Sequence, residues 1–487
     1  MSTRRTIERL SGGDLVELRS DVGPAPKNVG ALLVLDDADL ATVERVLSRR
    51  LAGIDRLRQR LVAPPWGLGR PYWLEDPAFD VAAHVTHVRC PAPADHDALL
   101  DVAADALTQP LRRDRPLWRA VLVDGLPGGA VGVVLVMHHV LADGVGGLAV
   151  LAALGDPGTP APRPLGPASA IAASTVAAAA VPGAPVPAVA VPAAGPTVTA
   201  LLADHVVRLV RAAAALPAGL ARVGRGRVEL RGRDRGRDHG HGHDQGRGAP
   251  RCSLNVPTGA RRRLATVDVD LAEVRAAARR HGATVNDVLL VAVTAAMGTV
   301  LRARGEDVST LVVSVPVSAR RPTGRAGTAG TAGTAGRTRG GELGNQVGVM
   351  QVRVPVRGPL PERLARVAAT TSARRHDDRG ASAGLVGPVF RLLVAVGAFR
   401  WFIDHQRLIS TFLTNVRGPA EAVSVAGAHV REIVPLTSAP GNVAVTFAVL
   451  SSGGRLVVTV VTDPDVVADP TALAAGTDEA LRGLVRD

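Results

Sequence analysis

The chain has 487 residues and a net charge of +13, almost all of it from arginine, because Lys27 is its only lysine. Hydrophobic residues make up 46% of the chain but aromatic residues only 2%, so we expect two or three domains with a core of Val, Leu and Ala. The sequence has no zinc-finger spacing, no basic region leading into heptads and no aromatic-rich platform, which argues against nucleic acid as a partner despite the charge.

The two cysteines, Cys90 and Cys252, are far apart and outside any CxxC motif. This spacing argues against a disulfide scaffold and against a structural zinc site. The N-terminal segment has no apolar h-region, so no secretory signal is expected. We therefore expect a cytoplasmic protein.

Residues 1–155 combine apolar runs with helical periodicity, which is typical of an α/β unit. Strands are predicted at 31–36, 120–126 and 131–137. Helical patterns cover 40–61 and 94–109, the second after an acidic turn that suits an N-cap. We interpret this region as the first of two α/β halves.

Residues 156–250 differ in composition and predict a largely disordered linker. The stretch Pro164–Ala203 is uncharged, but its prolines and weakly apolar alanines argue against a membrane-spanning helix. An amphipathic helix is predicted at 201–216. The Arg/Gly/His-rich segment 225–248 is of low complexity, and we interpret its three histidines as part of a solvated loop, not as a metal site.

Residues 251–487 predict a second α/β half, in which residues 322–341 form a low-complexity loop. Residues 266–305 predict a strand, a helix and a second long helix that begins at Thr284. Further strands are predicted at 311–321, 346–356, 442–452 and 455–463.

The pattern that carries chemistry is HHxxxDG, formed by His138, His139, Asp143 and Gly144 after an unbroken apolar strand. Neighbouring side chains on a strand point to opposite faces, so the two imidazoles are expected to have different roles. A neutral imidazole can remove the proton of an alcohol that attacks a thioester, and such a transfer requires neither a metal nor a covalent enzyme intermediate. The alternative is a buried histidine pair that only closes a strand.

HHxxxDG is the hallmark of the chloramphenicol acetyltransferase-like superfamily of CoA-dependent acyltransferases. Within that superfamily the chain resembles the bacterial wax ester synthase/diacylglycerol acyltransferase family. The resemblance covers nearly the whole chain outside 156–250 and 322–341. It rests on segments 9–18, 70–85 (Trp73, Phe79, Asp80 and His84), 115–129, 254–271, 283–290, 315–320, 344–345 and 414–419.

The resemblance implies an α/β fold of two chloramphenicol-acetyltransferase-like halves, each a mixed sheet with helices, with the active site between them. It implies long-chain acyl-CoA as donor and co-substrate, with no further cofactor and no metal, and diacylglycerol or a fatty alcohol as acceptor. His139 is then the general base, His138 orients it, Asp143 holds the loop, and Gly144 makes the turn. Substrate-binding positions carried over from the family are Trp118, Asn286, Asp287, Asn345, Thr414 and Asn415.

The chain departs from the family pattern at Arg112, where an acidic residue is usual, at Thr414, where Ser is common, and at Arg417, where Pro is common. Asn286 and Asp287 also sit at a predicted helix start, so they can equally be an N-cap pair.

Two other functions stay open at this point. The chain could be a condensation-like acyltransferase that uses a carrier-protein thioester, or a catalytically degenerate lipid-binding paralogue. Its positive charge also suits peripheral contact with an anionic membrane or a lipid droplet, at the inner face of the plasma membrane.

Overall fold

The computed structural model describes residues 7–141, 144–157, 195–210, 248–318, 347–377, 390, 393–394 and 396–487. Asp143, Asn345, the predicted low-complexity loop and most of the predicted linker lie outside these residues.

The strands of the described residues are β1 (Asn28–Leu35), β2 (Gln59–Val62), β3 (Tyr72–Glu75), β4 (Val85–Arg89), β5 (Trp118–Asp124), β6 (Val131–His138), β7 (Arg263–Asp270), β8 (Thr310–Ser318), β9 (Val347–Pro355), β10 (Thr411–Arg417), β11 (Ser424–Val425), β12 (Ala428–Thr437), β13 (Val445–Ser452) and β14 (Arg455–Thr462). The helices are α1 (Gly12–Arg19), α2 (Leu40–Ala52), α3 (His96–Thr108), α4 (Gly144–Leu154), α5 (198–210), α6 (Leu271–Arg280), α7 (Val285–Ala303), α8 (Leu360–Asp377), α9 (Phe399–His405) and α10 (Thr471–Arg486). Two six-stranded mixed sheets with helices therefore make up the fold, as the sequence predicts, and β2 and β3 form a separate two-stranded sheet.

The first sheet has the order β11-β12-β1-β6-β5-β4. Its strand β6 is buried along its whole length, which explains why the sequence of this strand is apolar without alternation. Strands β1 and β6 are antiparallel, and Asn28 at the start of β1 lies opposite His138 at the end of β6. The residues that precede β1 in the chain must therefore lie beside the histidine pair.

The second sheet has the order β7-β14-β13-β10-β8-β9 and packs against α7. Its core is mostly Val, Leu and Ala, as the composition predicts, with Phe447 as a buried aromatic side chain. Among the described residues α7 is the one helix long and apolar enough to cross a membrane by length and composition. Because 67% of its most apolar window is buried inside the fold, it is the central core helix of this half.

The predicted boundary of the second half does not separate the two sheets. Strands β11 and β12 belong by sequence to 251–487, but they complete the first sheet, where β12 pairs with β1. The reason is that β1 is apolar and buried, so its backbone groups need a partner strand on both sides. The second half supplies that partner, and the halves are thereby held together.

The helix predicted over 40–61 is wrong in its C-terminal part. Helix α2 ends at Ala52 with Gly53 as its cap, and Ile54 is extended. The residues that follow form β2, which pairs with β3. The backbone hydrogen bonds of this hairpin outweigh a helical periodicity that continues in the sequence.

Candidate active site

His138 is fixed in the fold by three of its own groups. Its backbone N–H donates to the Leu117 carbonyl (2.9 Å), and its Nδ1 accepts from the Val140 N–H (3.0 Å). Because Nδ1 accepts, Nε2 carries the proton, and it lies 3.3 Å from Oδ2 of Asp21. With only 4% of its surface exposed, His138 acts as a structural anchor for the turn that follows β6.

Asp21 lies in the segment before β1, and its carboxylate accepts hydrogen bonds from several groups. Besides His138 it accepts the Lys27 N–H (2.9 Å) and pairs with Arg113 (3.0 Å). Partial burial of Asp21 opposes its charge, but the hydrogen bonds from His138 and Lys27 and the charge of Arg113 outweigh it and hold the pKa of Asp21 below its usual value. The carboxylate is therefore ionised at neutral pH.

His139 is held by its backbone and not by its ring. Its N–H donates to the Lys27 carbonyl (2.9 Å), while its Nδ1 is buried and has no hydrogen-bond partner among the described residues. The two imidazoles thus lie in different environments, as expected, although His139 lies in the turn after β6 and not on the strand. His138 is packed and paired, whereas His139 is partly exposed.

Lys27 connects the histidine pair to helix α1. Its Nζ lies 3.0 Å from Oε2 of Glu17 and 2.6 Å from Oγ of Ser20. Burial of Glu17 opposes its charge, but the charge of Lys27 and the hydrogen bond from Lys27 outweigh it, so the pKa of Glu17 lies below its usual value. An ion pair therefore stands beside His139.

A small cleft opens beside Lys27 where the two halves meet. It is lined by Ser20, Gly23, Lys27, Thr258, Arg262 and Gly441. The first three residues come from the segment before β1 and the other three from the second half. Lys27 lines this cleft and its carbonyl holds the His139 backbone, so the histidine pair lies next to the contact between the halves, where the resemblance places the active site.

Helix α4, which begins at Gly144, packs beside a hydrogen-bonded pair of asparagines, Asn286 and Asn415. Leu148 and Leu151 of α4 share a hydrophobic cluster with Val416, and α4 packs against β10. On β10, Nδ2 of Asn415 donates to Oδ1 of Asn286 at the start of α7 (2.6 Å). The structure therefore joins two of the predicted substrate-binding residues, beside the helix that follows the histidine motif.

Asp287 behaves as a helix cap. It is 1% exposed, accepts the Thr284 N–H (2.8 Å) in a capping box and accepts the Thr371 hydroxyl (2.7 Å). Asp287 is therefore the N3 member of a capping box whose N-cap is Thr284, whereas the neighbouring Asn286 pairs with Asn415.

Trp118 is a core residue with 2% exposure. Its indole N–H donates to the Leu57 carbonyl (2.8 Å), and its ring stacks on His84 at 4.5 Å between centroids. His84 donates through Nδ1 to the Trp118 carbonyl (2.9 Å), and burial lowers the pKa of His84. These contacts hold the start of β5 against Leu57 and His84, which is a different task from the substrate binding predicted for Trp118.

The three positions that depart from the family pattern take no part in the described contacts of the histidine pair. Arg112 is exposed and pairs with Asp114, and Arg417 ends β10 on an exposed position. Thr414 lies on β10 next to Asn415 and is half-buried. The described geometry of the histidine pair therefore does not depend on Arg112 or Arg417.

Sequence reasoning missed Asp21, Glu17 and Lys27. They occur in a segment without periodicity, so no motif singles them out. The sheet topology could have indicated them. Because β1 and β6 are antiparallel neighbours, the residues before β1 lie next to the end of β6. The uniqueness of Lys27 in the composition was a second signal.

The two mixed sheets with their helices have the chloramphenicol acetyltransferase-like fold. The wax ester synthase/diacylglycerol acyltransferase of Marinobacter aquaeolei VT8 has a similar structure, with a TM-score of 0.65 and 18% identity over 98% of both chains. The first condensation domain of the CDA synthetase is also similar, with a TM-score of 0.56 and 19% identity over 99% of this chain and 96% of that one. These likenesses support the fold alone.

Sequence comparison identifies the family within that class. The model of the wax ester synthase/diacylglycerol acyltransferase catalytic domain matches residues 10–289, and that of the C-terminal domain of the same family matches 343–484. The chain therefore belongs to the wax ester synthase/diacylglycerol acyltransferase family. The probable diacylglycerol O-acyltransferase tgs1 of Mycobacterium tuberculosis is 29% identical over 468 residues, which cover 94% of this chain and 91% of that protein.

Proposed function

We propose that this enzyme transfers a long-chain acyl group from acyl-CoA to the hydroxyl group of diacylglycerol, of a fatty alcohol, or of both. The observation that carries the proposal is the pair of unlike histidines next to the contact between the halves, one anchored by Asp21 and one with a buried nitrogen that no described residue engages. Membership of the wax ester synthase/diacylglycerol acyltransferase family supports the acceptor classes.

In the proposed reaction His139 is the general base. Its imidazole takes the proton of the acceptor hydroxyl as the oxygen attacks the thioester carbonyl carbon, and a tetrahedral intermediate forms. The C–S bond then breaks, and the imidazolium returns the proton to the leaving thiolate, so that the products are an ester and free CoA. His138 does not exchange protons in this scheme; it fixes the turn that carries His139.

The test is release of free thiol from palmitoyl-CoA by the purified full-length chain, with diacylglycerol, with hexadecanol, and with neither. Release that requires an acceptor, together with the matching ester product, supports the proposal and ranks the acceptors. Release without an acceptor would identify a thioesterase. A folded protein that is inactive on acyl-CoA but acts on an acyl carrier-protein thioester would favour the condensation-like alternative, whose fold the condensation domain shares.

We further propose that α5 rests on an anionic lipid surface, at the inner face of the plasma membrane or on lipid droplets. One face of α5 is fixed to the protein, since Leu201 is buried and Asp204 pairs with Arg9 (2.5 Å). The other face has exposed apolar side chains at helical spacing, namely Leu202, Val206, Leu209 and Val210, each at least 49% exposed. The net charge of +13 favours an anionic partner for it.

Vesicle cosedimentation tests this surface with a matched pair of variants. Val206→Glu is expected to reduce binding to phosphatidylglycerol vesicles. Val88→Glu, at a valine of β4 that is also exposed, is expected to leave binding unchanged. Equal binding by both variants would contradict the assignment of α5.

A further inference from the structure

The Glu17–Lys27 ion pair is built into the fold beside the proposed base. The side chain of Lys27 is 16% exposed and that of Glu17 is 29% exposed, so water screens the pair only in part. The Lys27 ammonium also lies 5.9 Å from the ring centroid of Phe399 on α9. Removing the charges of Glu17 and Lys27 from water costs desolvation free energy, so stability alone is a weak reason for the protein to keep this pair.

The pair is connected to His139 through the backbone. The carbonyl of Lys27 accepts the His139 N–H (2.9 Å), and a positive charge on either histidine lowers the pKa of Glu17. The backbone of His139 is therefore tied to Lys27, the residue whose ammonium pairs with the Glu17 carboxylate. Neither side chain has a role in the proposed proton transfer itself.

The other charged groups near His139 form pairs of their own. Asp21 lies between His138 and Arg113, and across the cleft Arg262 lies 3.9 Å from Asp463. Asp143 lies outside the described residues. The negative charge of Glu17 and the positive charge of Lys27 cancel in the same way. Removing either side chain therefore leaves one uncompensated charge near His139.

We propose that Glu17 and Lys27 are positioning residues that set the proton affinity of His139 in opposite directions, the carboxylate favouring the imidazolium and the ammonium opposing it. The proposal rests on the proposed function, because it concerns the base of that reaction. A general base is most effective when its pKa lies near the working pH, which gives this enzyme a reason to keep a partly buried ion pair there.

The two single charge removals are expected to act with opposite sign. Glu17→Gln leaves the Lys27 ammonium unbalanced and disfavours the imidazolium, so the acidic limb of the kcat/KM profile moves to lower pH. Lys27→Met leaves the carboxylate and moves the limb to higher pH. Each shift is expected to be about 0.5–1 pH unit, as for one charge near a partly screened group. The double variant is expected to return close to the original profile.

The experiment measures kcat/KM for palmitoyl-CoA and hexadecanol between about pH 5 and pH 9, where imidazole titrates. Alongside it, the titration of His139 is followed by NMR of ¹³C-histidine-labelled protein, with His139→Ala to assign the signal. Arg455→Met, which removes an exposed ion pair with Asp268, is the matched control and is expected to shift nothing. Lys27→Arg keeps the charge and is expected to keep the original profile.

Opposite shifts in the singles, with cancellation in the double variant, support the proposal. Shifts of the same sign, or a loss of activity with an unmoved profile and an unmoved NMR titration, would overturn it. If the wild-type chain transfers no acyl group, the proposed function fails, but the NMR titrations still decide whether the pair tunes His139. If Glu17→Gln does not fold, the proposal is tested by the two Lys27 variants alone. Lys27→Met must then move the profile to higher pH and Lys27→Arg must leave it unchanged.

Discussion

Replacing Asp21 with asparagine tests whether the histidine pair depends on the segment before β1. The carboxylate accepts from the Lys27 N–H (2.9 Å) through Oδ1 and from His138 (3.3 Å) through Oδ2. Asparagine has the same shape but offers only one acceptor oxygen, so its NH₂ group must face one of these two donors. One hydrogen bond to a charged acceptor is lost in a site where Asp21 is 11% exposed, which costs about 1.5–3 kcal/mol.

The assay is urea unfolding at neutral pH, with acyl transfer measured on the same samples. A loss of about 2 kcal/mol lowers the folded-to-unfolded ratio about 30-fold. Activity is expected to fall by about 100-fold, because the turn that carries His139 loses its anchor and a small misplacement is enough for such a loss.

The control is Asp36→Asn. Asp36 also lies 3.3 Å from a histidine, His429, but both side chains are exposed, so a cost below about 1 kcal/mol is expected. An Asp21→Asn protein as stable and as active as Asp36→Asn would refute the idea that Asp21 anchors the site.

Three further results are expected. Gly30→Ala should lower the stability and activity together, because an added Cβ would overlap the Leu135 carbonyl oxygen on β6; a thermal midpoint within experimental error of wild type would contradict this. Thr371→Val should cost about 1–3 kcal/mol in urea unfolding, because it removes a hydrogen bond to the buried Asp287 carboxylate, and no change would show that the contact is dispensable. Because the pKa of Asp21 is depressed by folding, its contribution is complete above its unfolded pKa of about 3.9 and is lost as the pH falls through the lower folded value. The stability difference between wild type and Asp21→Asn should therefore shrink in acid, and a constant difference would contradict the assigned charge.

Local signals in the sequence predicted a large part of this fold. The unbroken apolar run before the histidines indicated a strand buried on both faces, and β6 is such a strand. Thr284 was predicted to begin a long helix, and it is the N-cap of α7. Unlike environments were also predicted for His138 and His139, and the structure has them, but His139 lies in the turn after β6, so strand alternation is not their cause.

Long-range pairing is what the sequence could not predict. Nothing in residues 428–437 indicates that β12 joins the first sheet. The alternation of apolar and polar residues predicts which face of a strand is buried, but it does not predict which strand is its neighbour. Asp21 and Lys27 were missed for the same reason, since they meet the histidines only through the β1–β6 register. Trp118 was carried over as a substrate contact from a family segment, and only packing reveals that its described contacts are within the core.

The most direct test of the central claim is acyl transfer from palmitoyl-CoA by His139→Ala at the pH optimum of the wild-type enzyme. Removal of a general base is expected to lower kcat about 10²–10⁴-fold. The melting temperature and acyl-CoA binding should change little, because the described residues hold His139 by its backbone. A His139→Ala protein that retains more than about a tenth of the wild-type kcat would contradict the account, since that loss is far smaller than a missing base causes.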